Sequence, residues 1–238
     1  MVSLDFSGRH VVVTGGTGAL GTAVVQLLLD GGATCHIPAI EHAVPHHFPP
    51  ALANNDCVRV TCGVELADEA AVSGFYAKLP ALWGSIHVAG GFDMAPIAEM
   101  KLEQWRHMME MNATTCFLCC REAVRKIRAS KDSTGGRLVN VSARPALIPT
   151  SGMAAYSASK AAVANLTTSL AEELAADRIW VNAVVPSTMD TPANRKSMPK
   201  AEFDKWPKVA EVAATIAFLA SPQNAVTRGA LVPVYGKS

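Results

Sequence analysis

His10-Val11-Val12-Val13-Thr14-Gly15-Gly16-Thr17-Gly18-Ala19-Leu20-Gly21 is the stretch on which the fold turns. Its first half is a short β-branched apolar run, the pattern of a strand buried on both faces of a parallel sheet. Its second half is rich in glycine, and Leu20, Val24, Leu27 and Leu28 then recur at helical spacing. Strand, glycine turn and helix in succession are the context in which such a turn cradles a dinucleotide. Glycines allow the tight bend and let a pyrophosphate approach the backbone, and the helix start offers free N–H groups and the positive end of its dipole. Gly15, Thr17, Gly18, Ala19, Leu20 and Gly21 are therefore candidate cofactor contacts.

The rest of the chain continues the alternation. Apolar runs near 10–14, 33–38, 57–62, 85–89, 137–142, 179–185 and 230–234 read as strands, and periodic segments near 19–30, 68–79, 101–129, 152–177 and 209–220 read as helices. Regular alternation predicts an α/β fold: about seven parallel strands with helices on both faces, doubly wound through right-handed crossovers in the Rossmann manner. With no linker, repeat or low-complexity segment, residues 1–238 read as a single domain. Between strands two and three, Glu41–Asp56 is rich in Pro and His and reads as a loop where a helix is usual. The segment 186–207 follows strand six at the carboxyl edge of the sheet, where ligands of such folds bind, and reads as a substrate lid. Met189, Met198 and Trp206 are its candidate apolar substrate contacts.

Bulk properties exclude several function classes. Lys and Arg number 21 against 20 Asp and Glu, a net charge of +1, so no basic excess points to nucleic acid or an anionic membrane. No apolar run reaches membrane-spanning length, and the early Asp5 is unlike a signal peptide. A cytoplasmic protein is expected. The six cysteines read as reduced, small apolar side chains, because Cys116-Phe117-Leu118-Cys119 lacks the second ligand pair of a zinc site. His42, His46 and His47 read as a polar loop broken by Pro45, Pro49 and Pro50, and no metal is expected.

Tyr156 and Lys160 stand four apart at the start of an Ala-rich helical stretch, on one face and one turn apart. An ammonium beside a phenol favours the phenolate, so the pair reads as a tuned general acid/base.

The ordered motifs resemble the short-chain dehydrogenase/reductase superfamily over nearly the whole chain. The glycine motif corresponds to Thr14 through Gly21, with Ala19 at the family's middle glycine and Gly18 giving the spacing of the extended subgroup. The family's Asn-Asn-Ala-Gly turn corresponds to His87-Val88-Ala89-Gly90, followed by Gly91, with both asparagines absent. Asn112, Ser142, Tyr156 and Lys160 match its catalytic tetrad. The resemblance implies that Tyr156 exchanges a proton with the substrate oxygen. It implies that Lys160 tunes Tyr156 and binds the nicotinamide ribose, that Ser142 hydrogen-bonds the substrate, and that Asn112 holds a relay water. It further implies cofactor contacts at Glu65, Leu66, Ala89, Gly90, Gly91, Pro186, Thr188 and Thr191, and pairing of the 101–129 and 152–177 helices in a homo-oligomer, a tetramer or a dimer. The stretch Asp190–Pro199 is similar to the corresponding stretch of the quinonoid dihydropteridine reductases, which lack the catalytic serine.

An acid after strand two normally takes the adenosine ribose hydroxyls, and a nearby Arg takes the extra phosphate of NADP. Here that position falls at Ala39, then Ile40, with Glu41 the nearest acid; Arg9 and Arg59 are the only Arg or Lys before Lys78. A phosphate would meet only His36 or His42, so NAD(H) is favoured, with NADP(H) possible. Two function classes stand: an oxidoreductase acting on a carbonyl/alcohol pair, and a non-catalytic cofactor-sensing protein of the same fold. The intact tetrad favours the first; the altered His87-Val88 turn keeps the second.

Overall fold

A computed structural model describes residues 4–130 and 135–238. Seven strands form one parallel sheet: β1 (His10–Thr14), β2 (Thr34–Pro38), β3 (Val58–Thr61), β4 (Gly84–His87), β5 (Gly136–Val141), β6 (Ile179–Pro186) and β7 (Leu231–Val234), in the order β3-β2-β1-β4-β5-β6-β7. The order reverses between β1 and β4, and in open α/β sheets a ligand crevice opens at such a switch point.

Among the described residues the α-helices are α1 (Ala19–Asp30), α2 (Pro50–Ala53), α3 (Glu69–Ala77), α4 (Leu102–Met108), α5 (Thr115–Ala129), α6 (Ala154–Glu173), α7 (Pro192–Ser197) and α8 (Val209–Ala220). Side chains alternate across a strand, and β1 shows the consequence. Val11 and Val13 enter the apolar layer built with Val24, Val25 and Leu28 of α1 and Val212 and Ile216 of α8. Val12 enters the opposite layer with Val72 and Phe75 of α3, Cys119 and Ala123 of α5 and Val163 of α6. Both sheet faces are thus covered, as the unbroken apolar strands require.

Three elements differ from the sequence reading. The segment between β2 and β3 contains the one-turn α2, opened by Pro50. A proline at the first helical position gives up no hydrogen bond. The predicted 101–129 helix is α4 and α5 joined through a wider π turn, Met109–Thr114. The expected lid is α7 followed by a 3₁₀ turn at Phe203–Lys205. Thr191 caps α7, its hydroxyl accepting from Asn194 N at 3.2 Å, and Asp190 pins the segment at its base. The Asp190 carboxylate pairs with Arg195 at 2.6 Å and Lys208 at 2.6 Å, which hold it well below the usual carboxylate range. Among the described residues, no helix is long and apolar enough to cross a membrane.

Candidate active site

The glycine turn between β1 and α1 is fixed by the protein's own packing at most of its glycines. Gly15 has φ +63°, and a Cβ there would lie 2.8 Å from Ala89 N. At Gly16 it would meet Ile37 at 2.8 Å, and at Gly21 it would overlap the Gly15 carbonyl. Gly18 differs: its Cβ would meet nothing nearer than Gly15 O at 3.4 Å, so the fold itself tolerates a side chain there. Bare backbone at that position, beside the start of α1, suits close approach of a phosphate. A cavity of about 880 Å³ opens over the turn, a size that accommodates a dinucleotide. It runs from Ala39, Ile40 and Glu41 past the turn to Ala89, Gly90 and Met111. Leu66 and Glu65 line one wall, where Glu65 Oε1 accepts from Ala67 N at 3.1 Å. The expected contacts from Gly15 to Gly21, Glu65, Leu66, Ala89 and Gly90 thus share one surface and fit the adenosine and pyrophosphate portions of a dinucleotide.

Gly90 joins this cavity to the tetrad. A Cβ there would lie 2.5 Å from Asn112 Oδ1 and 3.1 Å from Lys160 Nζ. Asn112, in the π turn, pairs with both backbone groups of Gly91: Oδ1 accepts from its N–H at 3.1 Å and Nδ2 donates to its carbonyl at 3.0 Å. Nδ2 also donates to Ser159 Oγ at 3.1 Å, and Ser159 Oγ donates to the Tyr156 carbonyl at 2.8 Å. Both protons of the Asn112 amide are therefore spent tying the turn after β4 to α6.

Ser142 stands just beyond the end of β5, buried, its Oγ donating to the Lys160 carbonyl at 2.8 Å. Lys160 Nζ donates to Val141 O at 2.9 Å, which leaves two of its protons unassigned. Burial lowers Lys160 to about 8, opposed in part by the nearby Cys116. Tyr156 is half-buried, with Phe92 packed edge-on at 5.0 Å between centroids. Burial pushes its phenol up to about 12. This corrects the expectation of a phenol lowered by Lys160: in the free protein desolvation dominates, because the ammonium is directed at Val141 O.

The remaining candidates divide. Thr191 is buried and its oxygen caps α7, yet its O–H can still donate. Pro186 ends β6 and Thr188 follows it, half-buried. Of the three candidate substrate contacts, Met189 packs against the core and Trp206 is buried against Phe203 at 5.1 Å. Only Met198 is exposed. Sequence reasoning missed two apolar residues, one of them packed on Tyr156. Phe92 touches its ring, and Met94 lies across Gly152, whose carbonyl accepts from Ala95 N at 2.9 Å. Their run, Gly91-Phe92-Asp93-Met94, follows the glycine turn after β4, and that adjacency was the available signal.

His87 explains how the sheet manages without the expected asparagine. Tyr76 Oη lies 2.8 Å from Ser85 Oγ, which lies 2.9 Å from His87 Nε2. His87 Nδ1 lies 2.7 Å from Asn140 Oδ1, and Asn140 Nδ2 donates to Thr167 Oγ1 at 2.9 Å. An amide oxygen only accepts, so Nδ1 carries the proton and Nε2 accepts from Ser85. Cys116 and Cys120 complete a buried His/Cys/Cys group, but the imidazole already has partners on both nitrogens. All six cysteines are free thiols; Cys57 is exposed and Cys62 half-buried, contrary to the reading of all six as core.

Comparison with known proteins agrees with this geometry. The short chain dehydrogenase family model matches residues 9–202. A cis-4-hydroxycyclohexanecarboxylate dehydrogenase of Sinomonas cyclohexanicum is 32% identical, covering 97% of this chain and 96% of that one. A 3beta-hydroxysteroid dehydrogenase of Mediterraneibacter gnavus is 30% identical, over 88% and 75%. Among solved structures, a short-chain type dehydrogenase/reductase from Mycobacterium ulcerans superposes with TM-score 0.86 at 26% identity, covering 98% and 90% of the two chains. The chain belongs to the short-chain dehydrogenase family. It is an NAD(P)-dependent dehydrogenase/reductase acting on an alcohol/carbonyl pair.

Proposed function

We propose that this enzyme interconverts an apolar, ring-bearing ketone and its secondary alcohol, with Tyr156 as the general acid in reduction and the general base in oxidation. The observation that carries the reading is the convergence of Asn112, Ser142 and Lys160 around the first turn of α6, with Gly90 connecting them to the cavity. When bound, the nicotinamide supplies or accepts the hydride. Tyr156 Oη gives its proton to the substrate oxygen. Lys160 offers its two unassigned protons to that phenol and to the ribose. Ser142 Oγ turns its proton from the Lys160 carbonyl towards the substrate oxygen and stabilises the charge developing there. Asn112 fixes the distance between the turn and α6. Gly15, the Thr17–Gly21 run, Ala89, Gly90, Gly91, Pro186, Thr188 and Thr191 hold the cofactor, with Glu65 and Leu66 on the adenine side.

Substrate class is read from the exposed apolar side chains around the tyrosine. Phe92 packs on its ring, Met94 lies across Gly152, and Leu147 and Ile148 lie on the connection between Ser142 and Tyr156. Apolar rings bury well against such a surface, and the two dehydrogenases above are named for ring-bearing alcohols. Met198 supplies a contact from α7, which closes over the bound substrate. NADH is preferred over NADPH, because among the described residues the cavity lining contains neither Lys nor Arg. A pterin substrate, suggested by the Asp190–Pro199 stretch, is the second reading. The six free thiols favour the cytoplasm. A homo-oligomer is expected through helices α4 to α6, and the sensor alternative fails if turnover is found. The test is NADH oxidation by the purified protein against cyclic ketones, quinones and quinonoid pterins. Turnover with cyclic ketones is expected; turnover with pterins alone selects the second reading.

A further inference from the structure

We propose that His47 reads the 2′ position of the adenosine ribose, and that the segment between β2 and β3 does here what a side chain at the end of β2 ordinarily does. The proposal rests on the reading of the cavity as the dinucleotide site. At the end of β2 the chain has Pro38, Ala39 and Ile40, none with a polar side chain, so the position from which an acid or arginine ordinarily meets the ribose is chemically silent. Four acids line the cavity, Glu41, Glu65, Asp68 and Glu110, and among the described residues His47 and His107 are its only side chains able to carry a positive charge. His107 belongs to α4, which leads into the π turn beside Gly91, at the opposite end from Ala39. His47 is at the adenosine end, with Nε2 at 3.1 Å from the carbonyl of Thr17 in the glycine turn. The histidines expected from the sequence to meet a phosphate do not line this cavity: His36 is buried and paired with His10 at 2.9 Å, and His42 lies elsewhere on the segment.

The contact with Thr17 determines what His47 offers a ligand. A carbonyl only accepts, so Nε2 carries its proton, and Nδ1 is left for the ligand. In the neutral ring Nδ1 accepts a hydrogen bond from a ribose 2′-hydroxyl. In the protonated ring it donates, with charge, to a 2′-phosphate. One residue thus serves both cofactors, whereas an acid would reject NADPH and an arginine would favour it. The imidazole is presented on a stiff support. Phe48 beside it is buried in the core, its N–H donates to Pro45 O at 2.9 Å, and Pro45, Pro49 and Pro50 restrict the backbone on both sides.

The test is fluorescence titration of the wild type, His47→Ala and His47→Arg with NADH and NADPH, with 5′-ADP and 2′,5′-ADP as competitors. Loss of one charged hydrogen bond predicts that His47→Ala weakens NADPH and 2′,5′-ADP about tenfold or more, and NADH and 5′-ADP about threefold or less. His47→Arg is expected to tighten NADPH and invert the preference for NADH. Equal weakening of all four ligands, or of none, overturns the proposal, the former leaving His47 only as a brace for the glycine turn. A wild type that binds neither dinucleotide overturns the cavity reading and the proposal with it, and that outcome is distinct from normal binding with an indifferent His47.

Discussion

Tyr156 is held by opposing influences. Burial beside Phe92 favours the neutral phenol and raises it to about 12, while Lys160, the group able to oppose this, spends a proton on Val141 O. In the proposed mechanism the neutral phenol is the form that donates in reduction, which leaves the free enzyme poised as an acid. Lys160, lowered by burial to about 8, is charged below that pH and loses its charge above it. The quantity kcat/KM reports the free enzyme. Carbonyl reduction should therefore show kcat/KM level from about pH 6 to 7.5 and falling as pH passes about 8, while both required forms, neutral Tyr156 and charged Lys160, are present only on the acid side. A profile of kcat/KM that rises through pH 8 contradicts these roles. The spacing of Tyr156 and Lys160 was legible in the sequence. The direction of the Tyr156 shift was not, because it depends on Phe92 and on where Lys160 points, and neither is set by the i, i+4 register.

At the scale of elements, β4 and β5 are joined through side chains as well as backbone. His87 donates to Asn140 and accepts from Ser85, so His87→Leu removes one hydrogen bond from a buried polar group on each strand, leaving Ser85 with Tyr76 and the Asn140 oxygen with Cys120. Each lost bond costs about 0.5–1.5 kcal/mol. For a domain of this size, each kcal/mol lowers Tm by about 2–4 °C. Thermal unfolding of His87→Leu should thus show Tm lower by roughly 2–12 °C; an unchanged Tm would mean that the remaining partners fully satisfy Ser85 and Asn140. The segment after β6 depends on Asp190, which ties α7 to the start of α8 through Arg195 and Lys208. Asp190→Asn should speed hydrogen exchange across 191–207 and reduce the slowing caused by cofactor plus a substrate analogue. Exchange unaltered by the substitution would show that Asp190 does not restrain the segment. The strands were legible from apolar runs to within a residue or two, because their burial on both faces leaves a continuous signal. The two helices α2 and α7 each open on a proline, and Thr191-Pro192 was a readable cap-and-start pair. The π turn that carries Asn112 had no such mark, since a widened turn leaves the apolar spacing on either side intact.

At the scale of the molecule, the outer surfaces of α4 and α5 remain apolar in places that the chain does not cover itself. Cys116, Leu118 and Val163, on the helices expected to pair between subunits, are spent on the core, while Leu102, Trp105 and Phe117 are exposed. A second copy pairing through these helices, as proposed, would cover those three. Light scattering at micromolar concentration should give a multiple of the 25.0 kDa chain mass, and Phe117→Glu should shift it towards one chain. A single-chain mass for the wild type contradicts this. The doubly wound architecture was legible because every strand and crossover carried its own pattern. The adenosine end was not, because His47 reaches Thr17 across a segment whose prolines and histidines have no periodicity to project. The proposed function makes Tyr156 the group that moves the proton. The most direct test is NADH oxidation against cyclic ketones by the wild type and Tyr156→Phe, with cofactor dissociation constants measured in parallel. The account predicts turnover by the wild type, a loss of at least about a hundredfold in the variant, and unchanged cofactor affinity; a variant that binds cofactor and turns over like the wild type would contradict it.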